Sequence, residues 1–223
     1  MSASKVSSVP SRWLLLAVVV LVGLNLRPFL TGIGPLTARI QEATGLDYRS
    51  MSLFTLVPMV LMGVCALAGG WVERAAGARA AVIAALLLLS LASALRLVVG
   101  NGYALIATAA LCGIGVALVQ AVFPGIIKTH FPHQVAVVMG LYSAMLMGGG
   151  ALGAQASPVI ANLTGSWHVG LAWTAVPAAL AALLSAFVLP RGRVVQSGML
   201  RTNLLLRRPR TWLLMACFGL VNG

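Results

Sequence analysis

The sequence predicts an all-α membrane protein, a bundle of six spanning helices followed by the start of a seventh. Three observations lead there. Of 223 residues, 60% are hydrophobic and only 8% are charged, where a soluble domain carries about 25% charged residues. The mean hydropathy is +1.01. The apolar residues gather in runs close to the roughly 20 residues that cross a bilayer as a helix, and short segments holding the basic residues separate them.

The first run, 13–37, opens with "WLLLAVVVLV" and continues into "GLNLRPFLTGIGPL", Gly23 to Leu36. Lys5 and Arg12 precede it as in a signal peptide. No small-x-small cleavage site follows and further spans do, so it reads as a retained helix after a cytoplasmic segment, 1–12. Gly23, Arg27, Thr31 and Gly34 share one helical face, small and polar where the rest is Leu, Val and Phe. Arg27 lies about 21 Å along the helix from Trp13, too deep for easy snorkelling. An arginine at the bilayer centre costs at least about 2.5–3.5 kcal/mol. Binding of a negative or strongly polar ligand explains it. The other reading is a structural arginine bonded to backbone carbonyls, which Pro28 frees by removing a donor and kinking the helix.

The second and third runs, 51–72 and 80–99, are joined by "GGWVERAAGARAAV". Gly69 permits close helix approach. Glu73, Arg74 and Arg79, with Gly77 between them, suit a gate whose charge pairs form in one conformation and break in another; an ordinary basic loop is the alternative. Arg96 sits near the outer end of the third run, within snorkelling reach of water, and is a weaker candidate for a substrate or outer-gate contact. The fourth run, 103–127, carries a small and polar stripe of Gly113, Ala117, Gln120 and Pro124, which makes Gln120 a cavity-lining hydrogen bonder. The fifth, 134–162, places Tyr142 one to two turns in, lining the cavity or sitting at the interface. Its "MGGGALGAQASPVI" sets Gly149 and Gly153 four apart, a flat face for tight packing, with Pro158 beyond. After the sixth run, 167–189, comes a basic linker, 190–210, with six arginines, and a truncated seventh helix over 211–223.

Lys and Arg set the orientation. With the N-terminus cytoplasmic, 11 basic residues fall inside and 3 outside, Arg27 being intramembrane. The net charge of +12 is thus topogenic, and nucleic-acid binding is excluded because no basic face is interleaved with exposed aromatics. Cys65, Cys112 and Cys217 stand singly in apolar runs. His130 and His133 lack a nearby Cys or carboxylate, so no metal site and no cofactor is expected. No Walker loop is present. Glu42, Asp47 and Glu73, the only acidic residues, all fall between runs. Proton coupling, if used, then runs through the rest of the protein, through Glu73 or through the substrate. An intramembrane enzyme lacks a visible constellation here; a scaffold without transport is the surviving alternative.

The loop with Gly69, Glu73-Arg74, Gly77 and Arg79 resembles the signature loop of the major facilitator superfamily, with Glu73 for the usual aspartate, an extra residue before Gly77 and Ala78 for the first paired basic residue. The glycine/proline stretch around Gly149, Gly153 and Pro158 resembles the superfamily's fifth-helix motif, which packs against the second half. Arg27-Pro28, Thr31, Gly34-Pro35, Arg96, Pro124, Ile127-Lys128, Phe131-Pro132 and Leu141-Tyr142-Ser143 look like the cyanate/nitroimidazole-type branch. The resemblance implies the N-terminal half of a twelve-helix bundle in the cytoplasmic (inner) membrane. It also implies a secondary active transporter working by alternating access on a small anionic or polar solute. The expected substrate contacts are Arg27, Thr31, Gln120, Tyr142 and Arg96.

Overall fold

The structure, a computed structural model, describes residues 12–189, apart from the side chains of 66–70. The expected N-terminal segment before Arg12, the linker 190–210 and the start of a seventh helix lie outside the described residues. The described part is helical, and six helical stretches are long and apolar enough to cross a membrane: Arg12–Thr44, Tyr48–Cys65, Ala78–Leu95, Gly102–His130, Val135–Thr164 and Trp167–Val188.

The first span is built in pieces: α1 (Arg12–Asn25), α2 (Pro28–Thr31), a 3-10 turn (Gly34–Leu36) and α3 (Thr37–Thr44). Pro28 has no N–H, so the ladder cannot run through it. Asn25 closes α1 by donating its Nδ2 to the Leu21 carbonyl at 2.7 Å. Beyond Pro28 the chain tightens to Gly32 and Pro35 before regular helix resumes. The run continues to Thr44 rather than ending near 37. Its added turns carry Arg39 and Glu42, both exposed, so they cost little at a span end in water. Gly45, at φ +69°, stops α3 by donating to the Gln41 carbonyl at 2.8 Å, the left-handed ending that glycine adopts without a Cβ clash.

The second and third spans are α4 (Tyr48–Ala76) and α5 (Ala78–Leu95), separated by the single residue Gly77. The fourth and fifth are α6 (Gly102–His130) and α7 (Val135–Thr164). Asp47 caps α4 through Ser50 N–H at 2.9 Å, and Asn101 caps α6 through Tyr103 N–H at 2.9 Å. The sixth span, expected as one helix, divides into α8 (Trp167–Ala172) and α9 (Ala175–Val188). Pro177 cannot donate to Trp173, whose carbonyl instead takes Val176 N–H in a tighter turn at 3.3 Å. Pro58, Pro124 and Pro158 lie inside α4, α6 and α7 without breaking them.

The central helix is α6, buried along most of its length and packed on α4 and α5; α5 in turn packs on α9, and the first span on α7 and α9. Two glycines of α6 serve different neighbours. A Cβ on Gly113 would stand 2.8 Å from Pro58 Cα, and one on Gly115 would stand 2.8 Å from the Ala85 carbonyl oxygen. Lipid tails are as apolar as side chains, so close packing of small residues supplies much of the association. α4 and α7 are the least covered spans, with Leu56, Met59 and Val60 on one and Met147, Leu152 and Val159 on the other exposed.

Candidate functional site

Arg27 sits in the break of the first span, at the residue that precedes α2. Its carbonyl accepts from Leu30 and Thr31 N–H at 3.1 and 3.2 Å, so the backbone there is spent on starting the next turn. Its side chain is half-buried and forms no hydrogen bond or ion pair with any described residue. The aliphatic stem runs over Gly150 of α7: a Cβ on that glycine would stand 3.5 Å from Arg27 Cβ and 3.7 Å from Arg27 Cδ.

The break is held from α7 by glycines. Pro28 deprives the Leu24 carbonyl of its helical donor, and Gly149 lies directly on that carbonyl, where any Cβ would collide. One turn on, a Cβ at Gly153 would stand 2.5 Å from Pro28 Cα. Thr31 donates its hydroxyl to the Gly150 carbonyl at 2.7 Å. Thr31, expected at the substrate, thus has its proton engaged in joining two helices. Gly149 and Gly153 meet the first span of the same bundle. Ser157, next to Pro158, lies against Gly32 and accepts from Trp173 Nε1 at 3.0 Å, which ties the sixth-span break to the same helix.

Arg96 does not snorkel. It is 1% exposed, just past the end of α5. Nη1 donates to the Phe29 carbonyl at 3.2 Å and Nε donates to Thr108 Oγ1 of α6 at 3.3 Å. Nη2 is buried with no partner. Thr108 in turn donates to the Leu105 carbonyl at 2.7 Å. A carbonyl freed by the broken helix, that of Phe29, is therefore served by an arginine, as one reading of Arg27 had it, but the arginine is Arg96. Sequence reasoning missed this because the partner lies on a different helix. The one signal was a cation with no acidic residue in any of the apolar runs.

Gln120 is half-buried on α6 and makes no hydrogen bond to a described residue. One turn along, Phe123 stacks on Tyr142 of α7, with centroids 5.4 Å apart and planes at 28°. The Tyr142 hydroxyl is buried with no partner. The backbone of Tyr142 packs on Gly23, whose Cβ would stand 3.1 Å from the Tyr142 carbonyl oxygen. Gly23, one turn before Arg27, is thus a contact point for α7, and the face holding Gly23, Arg27 and Thr31 turns into the bundle.

At the other end, Gly77 takes φ +82° and ψ 149°, a conformation open to glycine, and its N–H bonds the Glu73 carbonyl at 2.9 Å. Glu73 belongs to the last turn of α4, not to a loop, and Glu42 lies within α3. The Glu73 carboxylate faces α6: a Cβ on Gly125 would stand 3.9 Å from Oε1. Arg79 donates from Nη2 to the Ala186 carbonyl of α9, so it links spans three and six. Gly69 lies on α4, outside the described side chains. Among the described residues no group of three or more His, Cys, Asp or Glu is placed to hold a metal ion.

The family model described as Major Facilitator Superfamily matches residues 8–223. Cyanate transport protein CynX of Escherichia coli is 40% identical over 94% of this chain and 55% of its own length. A 2-nitroimidazole transporter of the same organism is 31% identical over 95% of this chain and 53% of its own. An uncharacterized transporter, YycB of Bacillus subtilis, is 27% identical over 71% of this chain and 39% of its own. The chain thus spans about half the length of the first two relatives. With a match along nearly the whole chain and six membrane-crossing helices in one bundle, the chain belongs to the major facilitator superfamily.

Proposed function

We propose that this chain is the N-terminal half of a secondary active transporter that moves a small anionic or polar solute across the cytoplasmic membrane by alternating access. Arg27 is the electrostatic anchor. The observation that carries the reading is half-buried Arg27 in a broken span, its guanidinium with no hydrogen bond or ion pair to a described residue. Such a cation is costly in a bilayer unless something polar meets it. Two relatives are named for cyanate, a small anion, and 2-nitroimidazole, a polar heteroaromatic. Gln120 and the Tyr142 hydroxyl, each without a hydrogen bond to a described residue, supply neutral polar contacts on the adjoining helices. The Glu73, Arg74 and Arg79 junction works as the cytoplasmic gate, and the N-terminus is cytoplasmic, as the excess of Lys and Arg on that side favours.

The test is transport by the full-length protein in vesicles, with cyanate and other small anions as the panel. A charge-assisted hydrogen bond contributes about 1.5–3 kcal/mol, so Arg27→Gln is expected to weaken apparent affinity by about 10- to 100-fold. Membrane insertion stays normal. Transport kinetics unchanged by Arg27→Gln would remove Arg27 from the site.

A further inference from the structure

We propose that Arg96 is a positioning residue that holds the first span open at its break and thereby sets where Arg27 stands. The inference rests on Arg27 being the substrate anchor.

The geometry starts with one carbonyl. In an uninterrupted helix the Phe29 oxygen would accept from Ile33 N–H, four residues on. Instead Ile33 N–H goes to Leu30 at 3.3 Å, a tighter turn, and Gly32 N–H goes to Pro28 at 3.0 Å. The Phe29 oxygen is released from the ladder at a depth where water is scarce, and an unsatisfied carbonyl there is strongly disfavoured. Arg96 Nη1 takes it at 3.2 Å. The same guanidinium reaches Thr108 on α6 through Nε at 3.3 Å. One planar, rigid fork thus fixes the distance between the broken span and α6.

Remove the fork and the Phe29 oxygen needs a donor. The helical donor four residues on is Ile33 N–H, and taking it re-forms a regular α turn between Phe29 and Ile33. That winds the chain after Pro28 and re-aims what flanks the break, Arg27 on one side and Gly34 on the other. Arg96 itself is 1% exposed, so it acts on the substrate through this backbone and not by touching it. A lysine reaches the carbonyl as a single point of charge without the fork.

The experiment uses the full-length protein in membrane vesicles with its accessible cysteines replaced. One reporter cysteine is placed at Leu30 or at Gly34, and its reaction rate with a charged thiol reagent is followed beside transport kinetics. Arg96→Met and Thr108→Val are each expected to change the labelling rate at both reporters. They should raise KM by about tenfold or more with kcat much less affected, and Arg96→Lys should restore part of both. Thr108→Val keeps the cation and carries the test if Arg96→Met fails to insert. A raised KM with unchanged labelling would make Arg96 a direct substrate contact and overturn the proposal. No change in either readout would also overturn it. The labelling readout needs no substrate, so it stands even if Arg27→Gln leaves transport intact and the anchor reading falls.

Discussion

Arg27 and Arg96 both lie in apolar runs, yet of the two only Arg96 has its guanidinium bonded to a described residue, at the Phe29 carbonyl and Thr108. That the face holding Gly23, Arg27 and Thr31 turns into the bundle was legible from spacing, because a small and polar face at helical intervals is a local pattern. Arg96 was not, because its burial depends on how α5, α6 and the first span meet, which no local window contains. Thr31 shows the same limit: its hydroxyl looks free in sequence and is used on the Gly150 carbonyl. Asp47 offers a test at this scale. Hydrogen bonds from Ser50, the side chain first and then the backbone N–H, hold its carboxyl below the ordinary aspartate value of 3.8. Its contribution to stability is therefore complete above the ordinary value and is lost as pH falls through the lowered one. Asp47→Ala is expected to narrow the difference in melting temperature between about pH 6 and about pH 3. An unchanged difference would show that the cap does not couple to folding.

The six spans were readable as elements because length and hydropathy mark them directly. Their interruptions were only half readable. Arg27-Pro28 announced the break in the first span, whereas Pro177 in the sixth gave no more warning than Pro58, Pro124 or Pro158, which their helices absorb. Whether a proline breaks a helix depends on what replaces the lost bond, and neighbouring helices decide that. The glycines of α7 separate by function in the same way. Gly153→Val would drive a side chain into the Pro28 backbone and is expected to destabilise the bundle by about 3 kcal/mol or more. Gly140→Ala, on the same helix with open space around it, is expected to be stabilising by about 0.5–1 kcal/mol. Thermal unfolding in detergent reads both. Equal effects at the two positions would mean that the seam between α7 and the first span is not tight.

For the molecule as a whole, the two ends differ in charge and in construction. One end gathers Arg12, the Glu73 to Arg79 junction and Lys128; the other holds α3, Asp47 and Asn101, with Arg39 Nη2 donating to Asn162 Oδ1 at 2.5 Å. With the N-terminus cytoplasmic, a reporter that works only in the cytoplasm should be active when fused after His133 and silent when fused after Gly100. The opposite pattern would invert the orientation and move the Glu73 junction to the outer face. The membrane class came from composition and the count of spans from the length and hydropathy of the runs, since a bilayer imposes both on every span. Which helices those inward faces meet came only with the tertiary contacts.

The seam between the first span and α7 is made of backbone against backbone, at Leu24 with Gly149 and at Pro28 with Gly153. Apart from the Thr31 hydroxyl on the Gly150 carbonyl, its grip owes little to the chemistry of the side chains beside it. Residues next to the seam that make no such bond, Arg27 among them, are therefore free to be exchanged one at a time without loosening the frame. If the chain carries a solute as proposed, a lineage can retune what it accepts through single substitutions, each intermediate still folding, while the glycines themselves stay fixed. A search for altered solute preference is best aimed at the neighbours of those glycines and not at the glycines.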